Sequence, residues 1–209
     1  MGYEVYRYNR VPTAYIEGSY RGHKASPGVY TVTIASAGKE AKTTCTILPN
    51  PTYPLTDADY REYNRFMLAM ESTLTSMHKK VNTILDMRTQ LEDVLKNMNP
   101  KDTTLLMAKG KSLVKKMKEW DELMVQRKSK AYDDVENFPN KFTAEYMFLL
   151  NQAESSIPRI NDPTRERLKE LTAEWSILDT TAIEIMETDI PAYNKLLWET
   201  GIGAVRTRK

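Results

Sequence analysis

The chain has 209 residues, of which 28% are charged and 41% are hydrophobic, and its formal net charge is +2. This composition is typical of a globular protein, and the balanced charge gives no sign of a nucleic-acid partner or a membrane surface. One cysteine, Cys45, excludes an intrachain disulfide and a cysteine-rich metal site. No apolar run approaches the ~20 residues of a membrane span.

The first residues lack the apolar core of a signal peptide. The chain is therefore expected to be either cytoplasmic or an internal piece of a longer exported protein.

Residues 1–50 predict a small antiparallel β module. Four strands are predicted, at residues 3–8, 14–17, 29–34 and 40–48. Ala37-Gly38 supplies the hairpin turn between the last two strands. A two-sheet, Ig-like sandwich needs about seven strands. The module is therefore expected to be incomplete, or to rest on another surface.

Residues 51–209 predict an antiparallel bundle of long helices, which gives an α+β fold that is mostly α. The first and longest helix is predicted over residues 56–98, with Thr56 as N-cap and Asp59 at N3. Apolar side chains recur there at alternating spacings of three and four residues, a pattern that places them on one helix face. This apolar stripe consists of Tyr63, Met67, Met70, Leu74, Met77, Val81, Ile84, Leu91, Leu95 and Met98, and only Arg88 interrupts it.

Three further helices are predicted. The second begins at Asn99-Pro100 and ends between residues 131 and 138, the third spans residues 141–156, and the fourth starts with Asp162 as cap and Pro163 at N1. Pro191 predicts a kink or break near Asp189. Trp120 and Trp175 lie on apolar stripes and are predicted to be core residues, and Trp198 is expected to continue an apolar face.

The two histidines offer little obvious chemistry, since no HExxH, CxxC or P-loop pattern occurs. His78 stands beside Lys79 and Lys80 and is predicted to be a solvated surface residue. His23 lies in a turn-rich segment, where a plain polar loop is favoured over an anion site. Tyr15, Glu17 and Tyr20 accompany His23 as the best polar candidate in the β module.

Glu184, Glu187 and Asp189 cluster near Pro191. A solvated helix face is the favoured interpretation, and a small metal site or the polar site of a small enzyme is the alternative. No catalytic, cofactor-binding or metal-binding residue is assigned, and no cofactor is predicted.

The second helix is basic. Its possible interaction surface consists of Lys109, Lys111, Lys115, Lys116 and Lys118, and Arg127, Lys128 and Lys130 extend it. Pairing with acidic faces of the neighbouring helices is favoured. The alternative is a stand-alone helical adaptor that binds an acidic partner through residues 101–130. Nucleic acid is disfavoured, because Trp120 is the only aromatic side chain interleaved with these charges.

Three short segments resemble one protein family. ASPGVYTV at residues 25–32 is similar to its hairpin entry, YDDVENFPNK at 132–141 to a helix break, and TDIPAYNKLL at 188–197 to its closing segment. The family is the bacterial exported BNR-repeat or sortilin-type β-propeller glycosidase-like proteins, especially those of Bacteroidota. There a proline-rich linker and a long helical hairpin follow the strand, as LPNP at residues 48–51 and the first long helix do here.

The resemblance implies a non-catalytic C-terminal accessory region, which acts in structural support or partner binding. Any glycosidase or ligand site would lie in an upstream propeller, and this sequence contains no propeller repeat that could receive its catalytic residues. The implied partner is the chain's own upstream propeller domain or another protein. The implied location is periplasmic, outer-membrane-associated or extracellular.

Overall fold

The computed structural model describes residues 22–98, 104–129, 134, 136–154, 158–201 and 205. They form a two-stranded antiparallel hairpin followed by a helical bundle, which confirms the mostly α, α+β fold. The elements are β1 (Gly28–Ser36), β2 (Lys39–Ile47), α1 (Asp57–Asn97), α2 (Thr104–Met124), α3 (Phe142–Ala153), α4 (Asp162–Glu184), a π-helical turn (Ile185–Asp189) and α5 (Ile190–Glu199). The strands predicted at 3–8 and 14–17, and the cap predicted at Asn99-Pro100, lie outside the described residues.

Helix α1 begins as its sequence predicts. The Thr56 hydroxyl oxygen accepts a hydrogen bond from the Asp59 backbone N–H at 3.3 Å, and the Asp59 carboxylate accepts one from the Thr56 backbone N–H at 2.8 Å. This reciprocal pair is a complete capping box. The backbone hydrogen bond from Thr56, and then that from its hydroxyl, lower the pKa of Asp59. With 41 residues, α1 is about 60 Å long.

The bundle has three legs, and α1 is the first. Helices α2 and α3 cover successive stretches of α1 and run antiparallel to it: Lys118 on α2 pairs with Glu92 at 2.9 Å, and Tyr146 on α3 hydrogen-bonds Thr73. The third leg, α4 with α5, returns parallel to α1, because residues near its start meet the start of α1. Arg165, for example, contacts Glu62 at 2.6 Å. The second leg is therefore interrupted between Met124 and Phe142.

The core follows the predicted apolar stripe of α1, but the buried face is wider than the stripe. Helix α1 contacts α2, α3 and α4, so it also buries Glu71, His78 and Leu85. The prediction that His78 is solvated was wrong, because its side chain is 0% exposed. His78 lies three or four residues from Leu74 and Val81, and these positions share a helix face.

Two predicted helix ends differ from the structure. Helix α2 ends at Met124, before residues 131–138, and the buried Thr143 hydroxyl donates a hydrogen bond to the Met124 carbonyl at 2.7 Å. Helix α4 is capped by Asn161, not by Asp162. The Asn161 side-chain oxygen accepts from the Thr164 N–H at 2.8 Å, and Asp162 is the first helical residue.

Pro191 does not end the third leg, because the helix continues past it through a wider turn. The chain forms the π-helical turn over Ile185–Asp189, where the Ile190 N–H reaches back five residues to the Ile185 carbonyl, and α5 follows directly. A π-turn accommodates one extra residue, and it lets the helix pass a proline that has no N–H to donate. The irregularity predicted near Asp189 is therefore present as this turn.

The tryptophans divide into two groups. Trp120 and Trp175 are buried as predicted, and the Trp120 indole N–H donates to the Leu178 carbonyl at 2.9 Å. Trp198 does not continue a buried face, because it is 79% exposed near the end of α5. Its neighbour Leu197 takes the buried position, and one helical residue turns the side chain by about 100°.

Candidate functional site

The hairpin presents an apolar face to solvent. On β1, Tyr30, Val32 and Ile34 share one face, since side chains alternate along a strand. Their register partners on β2 are Cys45, Thr43 and Ala41. Tyr30, Val32 and Ile34 are 38%, 42% and 67% exposed. We call these six residues the hairpin face. Tyr30, at its base, borders a cleft against the start of α1, and no described element covers the rest of the face.

The hairpin turn explains why this face is well defined. Ala37 and Gly38 both have positive φ, at 48° and 75°, and two such residues give the tight turn whose twist matches the paired strands. The register is continuous from Gly28 with Ile47 to Ser36 with Lys39. Because side chains alternate, a one-residue slip would invert the faces, and this turn fixes the register against it.

A buried polar cluster ties the base of the hairpin to α1. The His23 backbone N–H donates to Glu71 Oε1 at 2.8 Å, and His23 Nδ1 lies 3.0 Å from the same oxygen. His23 Nε2 lies 2.7 Å from Asn64 Oδ1, and the Tyr63 ring meets the imidazole edge-on at 5.9 Å. Burial, followed by the carboxylates of Glu154 and Glu71, raises the pKa of Tyr63 to about 12.

Sequence reasoning assigned His23 to a polar loop and missed its partner Glu71. The structure joins two positions that are 48 residues apart. The available signal was the place of Glu71 between Met70 and Leu74, where a charged residue borders the apolar stripe. The other predicted members of this site, Tyr15, Glu17 and Tyr20, lie outside the described residues.

The five lysines of the predicted basic surface do not act alike. Lys118 pairs with Glu92 of α1 at 2.9 Å, and Lys115 pairs with Glu119 of its own helix at 3.6 Å. Lys116 contacts Glu184 at 3.0 Å and Asp189 at 2.8 Å. Lys109 and Lys111 are exposed and pair with none of the residues that the structure describes. Three of the five are therefore paired within the chain, and two of these, Lys116 and Lys118, pair with neighbouring elements.

The acidic residues near Pro191 lie beside this basic helix. Burial by itself would lower the pKa of Lys116. Hydrogen bonds to Asp189 and Glu184 outweigh this effect, so the pKa is raised. A cleft of about 320 Å³ next to this pair is lined in part by Lys109, Asp189 and Tyr193. Within the described part of the chain, no group of three or more histidine, cysteine or acidic residues is arranged to hold a metal ion.

Two features stand out among the described residues. The hairpin presents an exposed apolar surface, and the carboxylates of Glu184 and Asp189 both pair with Lys116. No described helix is long and apolar enough to cross a bilayer. No protein family, curated protein or solved structure matches the chain.

Proposed function

We propose that this chain is a non-catalytic accessory region whose hairpin face docks on a neighbouring β-rich domain. The resemblance in sequence makes that neighbour a β-propeller of the same exported protein. The observation that carries the proposal is the exposure of Tyr30, Val32 and Ile34 on a sheet of which two strands belong to the described residues.

The physical argument is that such a hairpin needs a cover. An isolated two-stranded hairpin is marginally stable in water, and a third strand or a packed surface is normally required. Docking would also remove the apolar side chains of the hairpin face from water, at roughly 25 cal/mol per Å² of buried apolar area. A neighbouring β surface supplies both forms of stabilisation.

The charge of the two strands favours one edge for this contact. Strand β2 carries Lys39, Glu40 and Lys42, whereas β1 has no charged residue and no proline. Charged residues protect sheet edges against pairing, and an uncharged edge is open to an added strand. The edge of β1 is therefore the preferred side for contact with the neighbouring domain.

The bundle would serve as the support. The cluster of His23, Asn64 and Glu71 joins the segment before β1 to α1, the longest helix. This attachment holds the hairpin at the N-terminal end of α1 while the remainder of the chain packs the core. Structural support and partner binding are then one function of one assembly.

The alternative, a helical adaptor that binds an acidic partner, retains fewer available lysines than the five that the sequence predicted. Lys109 and Lys111 remain as exposed cations without a described partner, while Lys115, Lys116 and Lys118 are paired. An acidic partner would have to displace the internal ion pairs of these three lysines, or bind through the remaining two lysines. The hairpin face requires no such displacement.

Cys45 gives a direct test, because it is the only cysteine in the sequence and lies exposed on the hairpin face. The coding sequence upstream would first be read for a propeller, and that domain would be produced separately. Reaction of Cys45 with a thiol reagent is then followed with and without the propeller. We expect the propeller to slow the reaction and to bind the chain in calorimetry.

The matched variants are Ile34→Lys on the hairpin face and Thr33→Lys, which adds the same charge on the opposite face of β1. Ile34→Lys should weaken binding about tenfold or more, and Thr33→Lys about twofold or less. Absence of an upstream propeller, or full reactivity of Cys45 in its presence, would overturn the proposal. Turnover of aryl glycosides that disappears in Glu187→Gln would overturn its non-catalytic part.

A further inference from the structure

A second site lies far from the hairpin, where the second leg of the bundle is interrupted. A cavity of about 410 Å³ opens between the end of α2 and the start of α3. Five cationic side chains line it, namely Arg88, Lys118, Arg127, Lys128 and Lys141. Among the described residues that line it, Asp121 and Glu122 are the acidic ones, so positive charge predominates there.

The buried end of this cavity contains more guanidinium groups than carboxylates. Asp121 is buried and accepts hydrogen bonds from both Nε and Nη2 of Arg127. Arg88 reaches the same carboxylate only at 3.5 Å through Nη1, and its side chain is 12% exposed. The Arg88 Nε is buried and has no hydrogen-bond partner among the described residues. The single Asp121 carboxylate therefore accepts hydrogen bonds from two arginines.

This arrangement leaves a desolvated cation that needs a second acceptor. A buried charge is costly unless it is paired and hydrogen-bonded, and Arg127 already takes both Asp121 oxygens. Arg88 is also the residue that interrupts the apolar stripe of α1. Its charge is unnecessary for packing, since an apolar side chain would continue the stripe.

We infer that this cavity binds a small phosphate monoester. The planar guanidinium of Arg88 presents N–H donors that match the oxygens of a phosphate group. Lys128 and Lys141 form no ion pair with the described residues and would supply further positive charge. The Glu122 carboxylate would repel the anion. Because Glu122 is exposed, water weakens this repulsion.

The size and the remaining walls of the cavity favour an ester over a free anion. Its volume of about 410 Å³ lies in the range of ~300–1,000 Å³ of small-molecule sites. Val125, Phe138 and Pro139 provide apolar contacts beside the cations. The phosphate would pair with Arg88, and the organic group would lie against these three residues.

The test measures binding of phenyl phosphate to the full chain by calorimetry. Inorganic phosphate, which lacks the apolar group, and phenol, which lacks the phosphate, are the comparison probes, with ionic strength held constant by chloride. The variants are Arg88→Met, which continues the apolar stripe, and the surface pair Lys128→Ala/Lys141→Ala. The control is Lys109→Ala/Lys111→Ala, which removes the same charge from an exposed part of α2.

We expect saturable, equimolar binding of phenyl phosphate, weaker binding of inorganic phosphate and none of phenol. Both cavity variants should weaken binding about tenfold or more, and the control about twofold or less. Equal loss in the control would show diffuse charge attraction and overturn the inference, as would absence of saturable binding. Equal affinities for the two phosphates would overturn the role of the apolar wall. If Arg88→Met fails to fold, the surface pair decides the result.

Discussion

Tyr193 of α5 lies directly against Gly110 of α2. A Cβ atom at position 110 would be 2.4 Å from the Tyr193 hydroxyl oxygen and 2.6 Å from Leu95 Cδ2 of α1. The Tyr193 hydroxyl donates to the Leu106 carbonyl at 3.0 Å, and burial raises the pKa of Tyr193. Because Gly110 has no side chain, Leu95 of α1 and Tyr193 of α5 can both pack against α2 at this position.

The first prediction is that Gly110→Ala destabilises the protein. Alanine would gain ~1 kcal/mol in helix propensity, but its Cβ must displace the Tyr193 hydroxyl and break a buried hydrogen bond. A net loss of about 2 kcal/mol in the free energy of unfolding is expected, measured by denaturant titration. In a Tyr193→Phe background the same change should cost less. An equal cost in both backgrounds, or a gain in the first, would contradict this account of the contact.

The second prediction concerns Trp175, which stacks on Phe142 with ring centroids 6.0 Å apart and lies 5.6 Å from the Lys80 ammonium. Trp175→Ala should lower the free energy of unfolding by ~3–5 kcal/mol, because it empties a large buried volume. Trp198→Ala is the matched control, since Trp198 is exposed, and should change stability by no more than about 0.5 kcal/mol.

Fluorescence gives an independent check on the same residues. The exposed Trp198 contributes emission typical of wet indole, so blue-shifted emission is expected most clearly in Trp198→Phe, which retains Trp120 and Trp175. Wet-indole emission from that variant would contradict their burial.

The third prediction is a loss of stability at high pH. Burial raises the pKa of both Tyr63 and Tyr146 from 10.0 to about 12, and a hydrogen bond from Thr73 partly opposes the shift at Tyr146. A group whose pKa is higher in the folded state than in the unfolded state stabilises the fold fully at pH values below its unfolded-state pKa. This contribution is lost as the pH rises through the folded-state pKa. The melting temperature should therefore fall from pH 10 to about pH 12. Tyr146→Phe should reduce this slope, and an unchanged slope would exclude Tyr146 as a cause.

The fourth prediction is that residues 51–209 fold without the hairpin. Every member of the hydrophobic core cluster lies at Tyr63 or beyond, so the hairpin contributes nothing to it. A fragment of residues 51–209 should keep a cooperative thermal transition and a strongly helical circular dichroism spectrum. Its stability should be lower than that of the whole chain, because Glu71 and Asn64 lose His23. A broad, noncooperative melt of the fragment would refute the prediction.

Local patterns in the sequence predicted the elements whose causes are local. The three-four spacing from Tyr63 onward and the Thr56–Asp59 pair specify α1 and its first turn, since both act within a few residues. Ala37-Gly38 and the alternation on either side specify the hairpin and its register in the same way. The end of α2 was missed because Met124 is capped by Thr143, which belongs to the next helix.

Sequence alone therefore determined the fold class, the long amphipathic helix, the hairpin and the burial of Trp120 and Trp175. Tertiary structure alone decided that His78 is buried, that His23 meets Glu71, and that Arg88 shares Asp121 with Arg127. The physical reason is that periodicity reports which face of a helix is apolar, not how many neighbours cover it. Contacts between charged groups on different legs depend on how the legs align, and no local pattern records that alignment.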